Sequence, residues 1–221
     1  MRFAIRLLVA LTVVAPVACD GDDQTAAPVP VAQRFLTAED APGSTPDPVE
    51  TPRTAADIDE FIAVFHERWI DADEDELTTV LQEAGFKGAG EESRFMGEKH
   101  SPSAPHLIST FTELGSEDGA RSVLDWLETD LMKPCPDSCA VQISTFDPDG
   151  IADARGVRRL ATAKNIENAG TEEQIPRDEY WVGFTDGLFV YTMELMGPPG
   201  SVSVEQAQEI ARTYFDRLTA S

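Results

Sequence analysis

Apolar residues along this chain follow two rhythms. Ile58, Phe61, Ile62, Phe65 and Trp69 recur at three- and four-residue steps, which puts them on one face of a helix over 56–70. Asp73 opens a second helix through Gln82, its acidic residues suiting the positive end of the helix dipole, and Gly85 stops it. Ser116 caps a third helix through Met132, with Ala120, Val123, Leu124, Leu127 and Leu131 on its inner side and Pro134 at its end. Ser203 and Gln206 form a capping-box pattern that opens the last helix. Val204, Ala207, Ile210, Ala211, Tyr214, Phe215 and Leu218 give that helix a broad apolar face.

The second rhythm belongs to strands. Phe86 to Met96 reads as extended, and Leu107 to Leu114 as a strand. Ala140 to Phe146 is a strand by its β-branched content and stops at Asp147-Pro148-Asp149-Gly150. Val157 to Ala163 is another. Tyr180 to Leu195 predicts a hairpin, two aromatic and β-branched runs flanking Asp186-Gly187, a pair favoured where a two-residue turn needs positive φ. Gly197-Pro198-Pro199-Gly200 then breaks the chain before the last helix. Helices, strands, helix, strands, helix is the order of an α+β domain: an antiparallel β-sheet with helices packed on it. No internal repeat is present.

The start of the chain has neither rhythm. Met1 to Arg6 is a basic segment, Leu7 to Val17 an apolar run, and Ala18-Cys19 closes it before Asp20, Asp22 and Asp23. A bilayer-spanning helix needs about 20 apolar residues, so a run of this length suits a signal-peptide core instead. Val17-Ala18-Cys19 resembles the end of the bacterial lipobox, with Pro16 where that family usually has leucine. The resemblance implies cleavage before Cys19 and a lipid on Cys19, holding the protein to the cell membrane on its extracytoplasmic side. Residues 1–18 are then the leader. Residues 19–30 are a small, acidic, Pro/Ala-rich tether with too little apolar surface to fold. Residues 31–221 form one domain, with Phe35 to Gly43 as its first anchors and a Pro/Thr-rich loop from Ser44 to about Thr54.

Composition adds two constraints. A hydrophobic fraction of 42% and a charged fraction of 26% are ordinary for a chain with a core, but the net charge of −23 is not. With Arg2 and Arg6 in the leader, fifteen basic residues face forty acidic ones after it, a balance near −25. Such a surface repels nucleic-acid phosphates and anionic headgroups, so nucleic acid is not an expected partner. Once Cys19 is set aside, an even pair remains in Cys135-Pro136-Asp137-Ser138-Cys139. In an oxidising exported compartment that pair reads as a local disulfide. Its three-residue spacing departs from the two-residue redox motif, and the nearest histidine, His106, is not at zinc-ligand spacing.

Catalytic chemistry is hard to find. His66 falls on the first helix, and His100 and His106 lie in a Ser/Pro loop where neither Ser101 nor Ser103 has a nucleophile setting. Asp71-Ala72-Asp73-Glu74-Asp75 begins like a calcium loop, but Glu76 and Gln82 occupy the positions that need glycine and glutamate. Gly85 to Gly90 follows a helix rather than a strand and lacks the Lys-Ser/Thr end of a phosphate loop. No catalytic, metal-ligating or cofactor-binding residue is assigned. Trp126, Tyr180, Trp181, Phe184, Phe189 and Tyr191 are core aromatics, among which Trp126, Tyr180, Phe184 and Tyr191 are the candidates for an apolar pocket between sheet and helix.

Three further stretches carry a resemblance: Phe35-Leu36-Thr37-x-x-Asp40-x-Pro42-Gly43, Phe111 leading into Ala120 and Leu124, and Glu205-Gln206-Ala207-x-x-Ile210-Ala211. They look like the small extracytoplasmic domains of actinobacterial lipoproteins and kinase sensor regions, some similar in fold to the PsbP/Mog1 proteins. The close pair Cys135/Cys139 departs from the longer-range disulfides of the kinase sensor domains. The resemblance implies a role in binding, sensing or assembly and carries over no catalytic residues. The sequence-based expectation is a non-enzymatic envelope lipoprotein that binds a protein or an apolar, lipid-like envelope ligand. The alternatives are an envelope hydrolase with an unrecognised site and a structural spacer.

Overall fold

In the computed structural model, residues 30–48, 52–65, 73–97, 104–133, 140–164 and 174–220 are described. Their order is α1 (Val31–Arg34), β1 (Ser44–Pro46), β2 (Arg53–Ala55), α2 (Ile58–Phe65), α3 (Glu74–Ala84), β3 (Gly88–Met96), β4 (His106–Glu113), α4 (Glu117–Leu131), β5 (Ala140–Phe146), β6 (Arg155–Lys164), β7 (Gln174–Asp186), β8 (Phe189–Gly197) and α5 (Val204–Thr219). The strands make one antiparallel sheet in the order β1-β3-β4-β8-β7-β6-β5, with β2 also paired to β3. The fold is α+β, with helices on both faces of the sheet.

Local chemistry sets the helix ends. The Asp73 side chain accepts from the amides of Asp75 and Glu76, and Gly85 closes α3 at φ 72°, a left-handed setting that glycine takes without strain. Ser116 accepts from the Gly119 amide to open α4, and Ser203 from the Gln206 amide to open α5. The helix expected over 56–70 is described from Ile58 to Phe65; residues 66–70 lie outside the described residues. The expected loop from Ser44 to Thr54 contains β1 and β2, three-residue strands too short to show a period and held in place by their pairing with β3. His106, expected in a loop, is the first residue of β4, where it lies opposite Phe95 and stacks on it with ring centroids 4.9 Å apart. In the hairpin Asp186 pairs with Phe189, so the turn is Gly187-Leu188, one residue later than expected. Gly187 has φ 56° and no positive φ occurs at Leu188, the pattern of a turn with glycine at its first central position.

Strand alternation divides the sheet into two unlike faces. Leu107, Phe111, Val182, Phe184, Tyr191, Met193 and Leu195 point toward α5 and meet Ala207, Ile210, Ala211, Tyr214 and Leu218. Ala89, Val157, Trp181 and Val190 point the other way, toward Phe61 of α2, Leu77 and Leu81 of α3, and Val123, Leu124 and Leu127 of α4. Burying each large apolar side chain contributes about 1.5–3 kcal/mol.

The start of the domain is clasped by its end. Arg34 is buried, donating to the Tyr191 hydroxyl at 2.6 Å with its guanidinium 3.5 Å from the Phe189 ring centroid. The Tyr214 hydroxyl of α5 donates to the Arg34 carbonyl. Arg217 donates to the carbonyls of Gln33 at 2.6 Å and Phe35 at 2.7 Å, and pairs with buried Asp40 at 2.8 Å. These bonds seat Leu36 and Ala41 in the core beside α5. Among the described residues no helix is long and apolar enough to cross a membrane.

Candidate functional site

The sheet face beneath α2, α3 and α4 is less apolar than the face beneath α5. Between Phe61 of α2, Leu77 and Leu81 of α3, and Val123 and Leu127 of α4 runs a cleft whose floor is Gly90, Thr110, Thr112 and Thr192. Thr110 and Thr192 lie directly across from each other on β4 and β8, and their hydroxyls bond at 2.6 Å. The empty volume, mouth included, is about 420 Å³, but only about 20 Å³ of it admits a water-sized group. That is room for about one water molecule. An apolar ligand therefore enters only if a wall moves, and α2 is the wall best suited to it, because it contributes one lining side chain, Phe61, against two each from α3 and α4.

Carboxylates continue the same face. Glu91 is buried beside Thr110 and pairs with Arg53 at 3.2 Å. Glu194 on β8 and Glu179 on β7 are diagonal neighbours, since Trp181 is opposite Glu194 and Met196 opposite Glu179. Glu179 has a side chain only 15% exposed, and the Arg159 Nε across β6 is 4.0 Å away. Burial and then the charge of Glu194 push the Glu179 carboxyl up to about 7, against the pull of Arg159 and Arg177. On the α5 face, burial likewise raises Glu92, opposed by Arg94 at 2.8 Å. Arg94 also donates to the Ser44 hydroxyl and the Leu36 carbonyl, which ties the N-terminal segment to β3.

The four aromatic residues expected at a pocket do not share one. Phe184 and Tyr191 stack at 5.5 Å in the core beneath α5, and Tyr180 lies on that same face against Phe146. Trp126 belongs to the opposite side, where its indole N–H donates to Glu76 of α3 at 2.8 Å and joins α3 to α4. Trp181 faces the cleft side and Phe189 the α5 side. Cys19, Cys135 and Cys139 lie outside the described residues, as do His66 and His100. Asp147 to Gly150 is a turn after β5, with the Asp147 carbonyl accepting from Gln208 of α5 at 2.7 Å.

Sequence reasoning missed the threonine floor and the Glu179–Glu194 neighbourhood. A signal was present: polar residues stand in the middle of strands on a face that helices were already expected to cover. No family model matches the chain, and no curated protein matches it. Among solved structures, the extracellular domain of PknH from Mycobacterium tuberculosis is similar at 11% identity with a TM-score of 0.48, over 81% of this chain and 86% of that chain.

Proposed function

We propose that this chain is a non-enzymatic binding or sensing module, held on the extracytoplasmic side of the cell membrane by a lipid on Cys19. In this reading Cys135 and Cys139 form a local disulfide, and the cleft under α2 takes an apolar envelope ligand. The observation that carries the reading is the cleft itself: five apolar side chains from three helices above three hydroxyls of the sheet. Such a site offers an apolar chain a dry wall and offers one polar group a donor and acceptor. Lifting α2 re-exposes Phe61, at a cost of about 2–3 kcal/mol. Between about 0.6 and 3 per cent of molecules are then open, which weakens the apparent affinity by about 30–160-fold. A ligand must therefore be long enough to cover what α2 gives up.

Native mass spectrometry of the full chain, extracted gently from its own membrane, tests this. A diacyl or triacyl increment on Cys19 together with a retained small molecule is the expected result. A chain with no acyl mass would overturn the anchor, and an empty domain with the increment would shift the role to protein assembly. The second reading, an envelope hydrolase, draws on the raised Glu179 carboxyl beside Glu194. Turnover of an ester, peptide or glycoside substrate that disappears in Glu179→Gln would establish it and sink the first.

A further inference from the structure

We propose that Arg34 receives the carboxylate of an apolar acid, taken side-on by its guanidinium at the seam between the N-terminal segment and the β7–β8 hairpin. Arg34 is 5% exposed, and among the described residues no carboxylate pairs with it. Its guanidinium meets the Tyr191 hydroxyl through Nη1 at 2.6 Å and the Phe189 ring at 3.5 Å. Asp186 stands opposite Phe189 in the hairpin but makes no ion pair with Arg34. Arg94, buried to the same degree, is treated differently: it pairs with Glu92 at 2.8 Å and donates to Ser44 as well. Buried charges are ordinarily paired, because taking an ion out of water is costly unless a counter-charge replaces the water. The face of Phe189 offsets part of that cost for Arg34 and leaves the edge of the guanidinium unused.

That edge has a shape. With Nη1 engaged by Tyr191, Nε and Nη2 present two parallel N–H groups, the fork that matches the two oxygens of a carboxylate. A second donor stands beside the fork. The Tyr191 hydroxyl accepts from Arg34, and among the described residues its own hydrogen has no acceptor. Neither nitrogen of the fork is sealed from solvent. The rest of the ligand meets apolar surface, since two of the three exposed large hydrophobic side chains among the described residues stand here. Val31 comes one turn before Arg34 on α1, and Leu188 directly precedes Phe189. The acidic character of the chain does not forbid an anion at this seam, because charges beyond about 8 Å are largely screened at physiological salt. The seam lies on the α5 face, across the sheet from the cleft, and does not depend on it.

The test uses the full chain with octanoate, its uncharged amide octanamide, and inorganic phosphate, at about 0.15 M salt. Calorimetry gives the affinities, and the Nε–H resonance of Arg34 reports where the ligand sits. Octanoate should bind at least about tenfold more tightly than octanamide, the margin of a charge-assisted bidentate contact, and should shift that resonance. Arg34→Lys keeps the charge but loses the fork, and should cancel the margin. Tyr191→Phe keeps the ring in the core, and should weaken octanoate while leaving octanamide unchanged. A margin that survives Arg34→Lys, or phosphate bound as tightly as octanoate, would overturn the proposal. So would an octanoate affinity that appears only in Asp186→Asn, which would give the fork to that carboxylate. Acid and amide bound equally, with the Arg34 resonance unmoved, would overturn it too and would place both ligands in the cleft.

Discussion

Glu179→Gln should make the protein more stable at pH 8 and leave it unchanged at pH 4. The folded-state carboxyl titrates at about 7 rather than at its ordinary 4.5. A carboxyl raised in this way holds its proton in the folded chain while the unfolded chain has already lost it. Its contribution is therefore complete below about 4.5, falls as pH rises, and levels off above 7. At about 1.4 kcal/mol per pKa unit the loss has a ceiling of about 3 kcal/mol. Glutamine reproduces the neutral form at every pH and so recovers that loss. The pull of Arg159, 4.0 Å away, is already contained in that figure, because the carboxyl reaches about 7 against it. The net expectation is therefore up to about 3 kcal/mol in favour of the variant at pH 8 and near zero at pH 4, both within the ordinary range for single substitutions. Urea midpoints at the two pH values, with slopes that do not change, give the difference directly. A difference that does not move with pH, or a variant weaker than the parent at pH 8, would refute the burial argument.

Arg34→Ala should cost about 2–4 kcal/mol, because it strands the buried Tyr191 hydroxyl and uncovers Phe189; thermal unfolding in parallel with the parent measures it. Ser203→Ala should cost only about 1 kcal/mol, the loss of one cap on a helix otherwise held by its apolar face, read as a shift in denaturant midpoint at constant slope. Phe61→Ala should cost about 3 kcal/mol in stability yet bind the apolar dye N-phenylnaphthylamine more tightly, since it removes a wall of the cleft. A fluorescence titration in which the variant binds no better than the parent would place the dye elsewhere.

The helices were legible because their ends carry chemistry: Asp73, Ser116 and Ser203 each cap with the side chain the pattern singles out. The strands were legible as apolar, β-branched runs. What goes on each face was harder, since both faces of the sheet are covered and the period of two loses its contrast. Three of the four aromatic residues expected at a pocket do share a face, Tyr180, Phe184 and Tyr191 beneath α5, whereas Trp126 on α4 packs on the opposite side of the sheet. The turn shows how much one residue matters. A turn centred on Asp186-Gly187 would set Glu179 directly opposite Glu194, a destabilising like-charge pair. The turn at Gly187-Leu188 makes them diagonal, close enough to perturb one another and far enough apart to persist.

The clasp on Arg34 has a temporal consequence. Residues 33 to 40 find their partners at Tyr214 and Arg217, about 180 positions later in the chain. Contacts of such separation form late, after the loop between them has been gathered in. During synthesis the first part of the domain to emerge is thus the part that must wait for the last. Until α5 arrives, Leu36 has no seat and the apolar face around Phe184 and Tyr191 lies open. A chain cut short by the final turn of α5 loses the Arg217 bonds at its other end as well.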